Sequence, residues 1–204
     1  WGSGVFRSAG GEAWQAMNEG LTWLDVRALA VGEGGVLYAG TWGGGVFRSA
    51  DGETWQAMNE GLTELNVQAL AVSEGCVPYA GTDGGVFRLV DGEHWEAINE
   101  GLVSLSIQAL AVDEMGVLYA GADIQYRTEP SGETQKLDGG MFRLADGETW
   151  QAVNVGLTEL DVRAMAVDDG NVLYAGTWRR VLRSADGETW QPVNEGLPTL
   201  SVMA

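Results

Sequence analysis

The 204 residues are 45% hydrophobic and 20% charged, enough to bury a sizeable core, which argues against disorder. Ten Arg and one Lys oppose 29 acidic residues for a net charge of −18. This excludes nucleic acid and anionic membrane surfaces as expected partners, because both are recognised by clustered cations. No apolar run approaches the roughly 18 residues of a spanning helix.

In chain order, the first complete unit offers four strand-like runs: VRALAV (26–31), VLYAGT (36–41), GVFRS (45–49) and TWQAM (54–58). Each is rich in β-branched or aromatic residues and bounded by Gly, Asp or Asn. The same order recurs down the chain. Trp14, Trp55, Trp95, Trp150 and Trp190 are spaced by 41, 40, 55 and 40 residues, and Tyr38, Tyr79, Tyr119 and Tyr174 by 41, 40 and 55. Two independent landmarks therefore give a period near 41 with one insertion, at 122–138.

Four short antiparallel strands per unit of this length make one blade of a β-propeller, and runs of five or six residues are too short for paired helices. The expected fold is all-β, a single propeller over 1–204 with blades at roughly 24–59, 65–99, 105–154 and 160–194. The run at 26–31, small and apolar, is the expected innermost strand, and TWQAM the outer edge. Segments 4–17 and 200–204 supply parts of a further, closing blade that lacks a VLYAGT run. The ring is expected either to close as five blades with a three-stranded closing blade or to belong to a larger propeller. The chain opens at Trp1 in mid-repeat, so the absence of a targeting segment carries no weight. Cys76 stands where the first unit has Gly35 and is expected to be a small buried residue, and one cysteine excludes an intrachain disulfide.

The segments SADGETW (49–55 and 184–190), LVDGEHW (89–95), LADGETW (144–150) and the degenerate SAGGEAW (8–14) resemble the Asp box. That turn motif is found in the BNR-like propellers of sialidases, sortilin-type receptors, xyloglucan-degrading enzymes and photosystem II assembly factors. The resemblance covers essentially the whole chain and implies fold rather than activity. It implies a structural role for Asp51, Asp91, Asp146 and Asp186, which hold their own turns, and for Trp14, Trp55, Trp95, Trp150 and Trp190, which pack between blades. A secreted or periplasmic location is implied by the resemblance alone. The spacing departs from the usual pattern by one residue fewer between Asp and Trp. A sialidase would need three unique Arg residues, whereas Arg7, Arg48, Arg88, Arg143 and Arg183 repeat in register, as blade-to-blade ion pairs do.

Function is expected where the repeats disagree. At the second-to-third connection they read TWGGG (41–45), TDGG (82–85), the long segment 122–140 and TWRR (177–180). Trp42, Trp178, Trp1 and Trp23 are thereby placed on one face, where aromatic rings stack on sugars or anchor a protein; the alternative is that they merely cover the neighbouring blade. The polar insertion brings Tyr126, Arg127 and the only Lys, Lys136, to the same end. At the start of the innermost strands, Asp25, Asn66, Ser106, Asp161 and Ser201 are followed two residues on by Arg27, Gln68, Gln108, Arg163 and Met203. These are candidate rings at the channel mouth, Asp25 and Asp161 being partly neutralised by Arg27 and Arg163. No metal-ligand spacing, phosphate loop or nucleophile elbow is present, and no cofactor is expected. His94 is a lone histidine with a structural reading. The leading expectation is a non-catalytic binding or scaffold propeller presenting the variable loops to a protein or glycan. The alternative is part of a glycoside hydrolase-like propeller. An assembly factor would need a basic patch larger than Arg179, Arg180 and Arg183.

Overall fold

The structure is a computed structural model that describes residues 2–8, 10–11, 13–128 and 134–196. It begins with a hairpin, β1 (Phe6–Ser8) and β2 (Trp14–Ala16). The first blade is β3 (Val26–Val31), β4 (Leu37–Thr41), β5 (Gly45–Ser49) and β6 (Gln56–Ala57); the second is β7 (Val67–Val72), β8 (Pro78–Thr82), β9 (Gly85–Val90) and β10 (His94–Ala97). In the third, β11 (Ile107–Val112) and β12 (Leu118–Ala122) are followed by an extra hairpin, β13 (Gln125–Thr128) and β14 (Thr134–Leu137), before β15 (Gly140–Leu144) and β16 (Gln151–Ala152). The fourth is β17 (Val162–Val167), β18 (Leu173–Thr177), β19 (Val181–Ser184) and β20 (Gln191–Pro192). Every blade is an antiparallel sheet in strand order, as a β-propeller requires.

The innermost strands meet in succession, β3 with β7, β7 with β11 and β11 with β17; no comparable contact joins β17 back to β3 among the described residues. The glycines of the first three YAG segments, Gly40, Gly81 and Gly121, allow this approach. A Cβ on Gly40 would lie 2.5 Å from Val67 Cγ1, and one on Gly81 would lie 2.7 Å from Ile107 Cγ2. The first blade keeps one inner face open, with Leu29 57% and Val31 65% exposed, although both belong to the apolar VRALAV run. Segment 200–204, assigned from sequence to a closing blade, lies outside the described residues.

The DGETW turns close on their aspartates with the shortened Asp-to-Trp spacing in place. Asp51 Oδ1 accepts the N–H groups of Glu53 and Thr54, both at 2.8 Å, and the Ser49 hydroxyl at 3.0 Å, while Oδ2 accepts the Thr54 hydroxyl. Asp186 repeats the set with Ser184, Glu188 and Thr189. Asp146 and Asp91 keep the two main-chain bonds. These donors, led by the threonine hydroxyls, hold the Asp51 and Asp186 carboxyls well below the usual carboxylate range.

Trp55, Trp95, Trp150 and Trp190 are buried between blades, each at most 3% exposed. Trp14, expected to pack in the same way, is 69% exposed, with no preceding blade beside it among the described residues. The repeated arginines behave unevenly. Arg7 reaches Glu53 at 3.5 Å and Arg143 reaches Glu188 at 3.4 Å, each in the next blade's turn, whereas Arg88 pairs with Glu96 of its own blade at 3.0 Å. Cys76 is only half-buried and sits in a turn with φ 60, the left-handed conformation that Gly35 supplies at φ 82. Its position serves chain reversal rather than core packing.

Candidate functional site on the variable loop face

The innermost strand of each blade carries a β-bulge at its first turn. Val26 pairs with Thr41 and Ala28 with Gly40, which leaves Arg27 unpaired, and the same irregularity falls at Gln68, Gln108 and Arg163. A bulge frees its extra residue from the ladder and re-aims the side chain. Arg27 consequently turns to Asp25, with Nε and Nη2 donating to the two carboxylate oxygens at 2.9 and 3.1 Å, and its guanidinium lies over the Trp42 ring at 5.4 Å. Trp42 is held there by its N–H, which donates to Asp25 O at 2.9 Å.

Arg163 in the fourth blade makes the same triad with Asp161 and Trp178, its guanidinium 5.1 Å from the ring centroid. It also takes a second acid. Nη2 donates to Asp123 Oδ2 at 2.9 Å and to Asp161 Oδ2 at 3.1 Å, and Nε approaches Asp161 Oδ1 at 2.6 Å without aiming its N–H at it. Two carboxylates therefore share one guanidinium. Burial, and then the charge of Asp161, push the Asp123 carboxyl up, and Arg163 opposes them. In the second and third blades the mouth is neutral or acidic instead: the Ser106 hydroxyl donates to Asp83 at 3.4 Å and the Gln108 amide donates to Ser106 Oγ at 3.0 Å.

Trp23 lies against the glycine turn beside Trp42; a Cβ on Gly44 would fall 2.3 Å from its Cγ. Trp23, Trp42 and Trp178 all keep a large exposed fraction on the loop face. Trp1 lies outside the described residues, as do Ser201 and Met203.

The insertion is a hairpin that divides this face into two clefts. One, of about 760 Å³, is lined by Trp178, Arg179, Asp161, Glu159 and Lys136. The other, of about 740 Å³, is lined by Tyr126, Gln125, Leu102, Val103 and Leu105. Lys136 is tied to Asp138 at 2.9 Å, Glu159 Oε2 accepts the Thr177 hydroxyl at 3.0 Å, and Tyr126 is 71% exposed. The structure thus brings Asp161, Arg163 and Trp178 together at one edge of the hairpin, sets Asp25, Arg27, Trp42 and Trp23 apart in the first blade, and gives Tyr126 a cleft of its own. Asp123 and Glu159 were not singled out in the sequence. The available signal for Asp123 was its place in register with Trp42, Asp83 and Trp178. His94 is exposed at the opposite, structural turn.

No family model matches the chain, and no curated protein matches it. Solved structures do. An ancestral GH74 enzyme aligns with a TM-score of 0.66 at 24% identity, over 89% of this chain and 25% of its own. PorZ, a surface component of the type-IX secretion system of Porphyromonas gingivalis, aligns at 0.58 and 17% over 89% and 28%. A putative gluconolactonase aligns at 0.55 and 14% over 80% and 61%. The fold is a β-propeller. At these identities the likeness concerns fold alone, and the chain spans a quarter of the GH74 enzyme and under two thirds of the gluconolactonase.

Proposed function

We propose that the chain is a binding propeller whose variable loop face holds a glycan, seated in the two clefts beside the β13–β14 hairpin. One observation carries the reading: two clefts of matching volume flank a single inserted hairpin, each with an exposed aromatic ring, Trp178 or Tyr126, and polar groups at its fringe. Aromatic faces ringed by fixed hydrogen-bonding groups suit sugar rings, which are apolar on their faces and polar at their edges.

Hydrolysis is less well supported. Glycoside hydrolysis places two carboxyl groups about 5 to 9.5 Å apart across the scissile bond. Asp123 and Asp161 instead sit side by side on the same Nη2 of Arg163. A protein ligand is the second reading, favoured by the exposed Val103 and Leu105 in the Tyr126 cleft.

The test is a glycan array followed by titration calorimetry on Trp178→Ala and Tyr126→Ala. Binding that either variant weakens by about tenfold or more supports the proposal. An array with no ligand, or a ligand indifferent to both substitutions, sinks it.

A further inference from the structure

The same fastener joins each blade to the next. The indole N–H donates to the main-chain oxygen of the residue just after the preceding unit's last strand: Trp55 to Met17 O at 2.7 Å, Trp95 to Met58 O at 2.8 Å, Trp150 to Ile98 O, and Trp190 to Val153 O at 2.8 Å. The main-chain N–H of each tryptophan donates to the oxygen two residues further on, that of Glu19, Glu60, Glu100 or Val155. A glycine with positive φ follows, and it has to be glycine: a Cβ on Gly20, Gly61, Gly101 or Gly156 would fall 2.2, 2.2, 2.3 or 2.1 Å from the tryptophan carbonyl oxygen.

The two ends of the described arc carry the two unmated halves of that fastener. Trp14 holds the donor position of the repeat, yet it is exposed, and among the described residues no carbonyl receives its indole. Val193, Glu195 and Gly196 hold the acceptor positions. Gly196 has the same backbone twist, φ 82, but nothing lies within 4 Å of the place where a Cβ would stand, and Val193 is exposed. Among the described residues the two halves do not meet each other.

We propose that the exposed hairpin β1–β2 of one copy docks through Trp14 onto residues 193–196 of a second copy, head to tail. The Trp14 indole then donates to Val193 O, its N–H donates to Glu195 O, and its carbonyl lies over Gly196. Four internal joints of identical register supply the template. The contact is heterologous, so Trp14 of the first copy leaves its own 193–196 segment available to a partner. A close-packed indole with two directional hydrogen bonds is the kind of anchor that dominates an interface.

Sedimentation of the 204-residue chain over a range of concentrations is the test. Mass at or above twice the 21.7 kDa of one chain is expected, and a monomer at every concentration overturns the proposal. Trp14→Ala and Gly196→Ala, which alter opposite halves of the joint, should each weaken association by about tenfold or more. Thermal melts of both variants distinguish lost docking from lost folding. Mixing the two variants should restore a heterodimer through the one intact pair of halves. A Gly196→Ala chain that associates as well as the parent would point to a like-to-like contact and overturn the head-to-tail arrangement.

Discussion

The guanidinium of Arg163 covers the indole of Trp178 at 5.1 Å from the ring centroid while it neutralises Asp161 and Asp123. One side chain thereby fixes an aromatic face and two acids at the edge of a cleft. Arg27 over Trp42 repeats the arrangement with one acid and greater exposure.

Arg163→Met is expected to lower stability by about 1–3 kcal/mol, because it strands two partly buried carboxylates. Arg27→Met should stay under about 1 kcal/mol, since its partner is more exposed and solvent-screened. Urea unfolding of the two variants measures the difference, and equal effects would refute the shared-guanidinium account.

Trp95→Ala should destabilise by about 3–5 kcal/mol, the cost of a large cavity, together with a lost hydrogen bond to Met58 O. Trp14→Ala should change monomer stability by less than about 0.5 kcal/mol, as expected of an exposed residue. The comparison is made at concentrations where the chain is monomeric.

The acid limb of stability should carry two opposing contributions. The Asp51 and Asp186 carboxyls titrate below 3.8 in the fold, so their stabilisation is fully present above 3.8 and dwindles as pH falls from there toward the folded-state values. Asp51→Asn with Asp186→Asn should flatten this limb. Asp123 titrates above 3.8, so its ionisation subtracts stability as pH rises from 3.8 through its folded value. Asp123→Asn should remove that decline, as read from denaturation midpoints between pH 2 and 7.

Cys76→Gly is expected to raise stability by about 0.5–1 kcal/mol. Relief of a left-handed non-glycine residue outweighs the added freedom of the unfolded chain. A loss measured by chemical unfolding would show that the thiol contributes packing.

The blades were legible because each repeats one pattern of small, aromatic and turn residues; Asp161 and Arg163 were read as one set at the channel mouth and Trp178 as a member of another on the loop face, and their meeting is a finding of the structure. The pairing of Arg with Trp was not legible. It depends on the bulge at residues 27 and 163, and a bulge leaves no mark when the apolar run looks continuous. Asp123 was missed for a related reason: its partner Arg163 lies forty residues away in the next blade. Trp14 shows the opposite failure. Its turn is the degenerate copy, with Gly10 and Ala13 where the Trp55 turn has Asp51 and Thr54, yet the tryptophan is kept, and among the described residues no preceding blade covers it.

The bulge has a consequence for how the mouth can change over generations. Residues 27, 68, 108 and 163 take no part in the strand register, and they read Arg, Gln, Gln and Arg. Arginine and glutamine codons lie a single base apart. Selection can therefore recharge the rim of the channel blade by blade while the sheets beneath stay as they are.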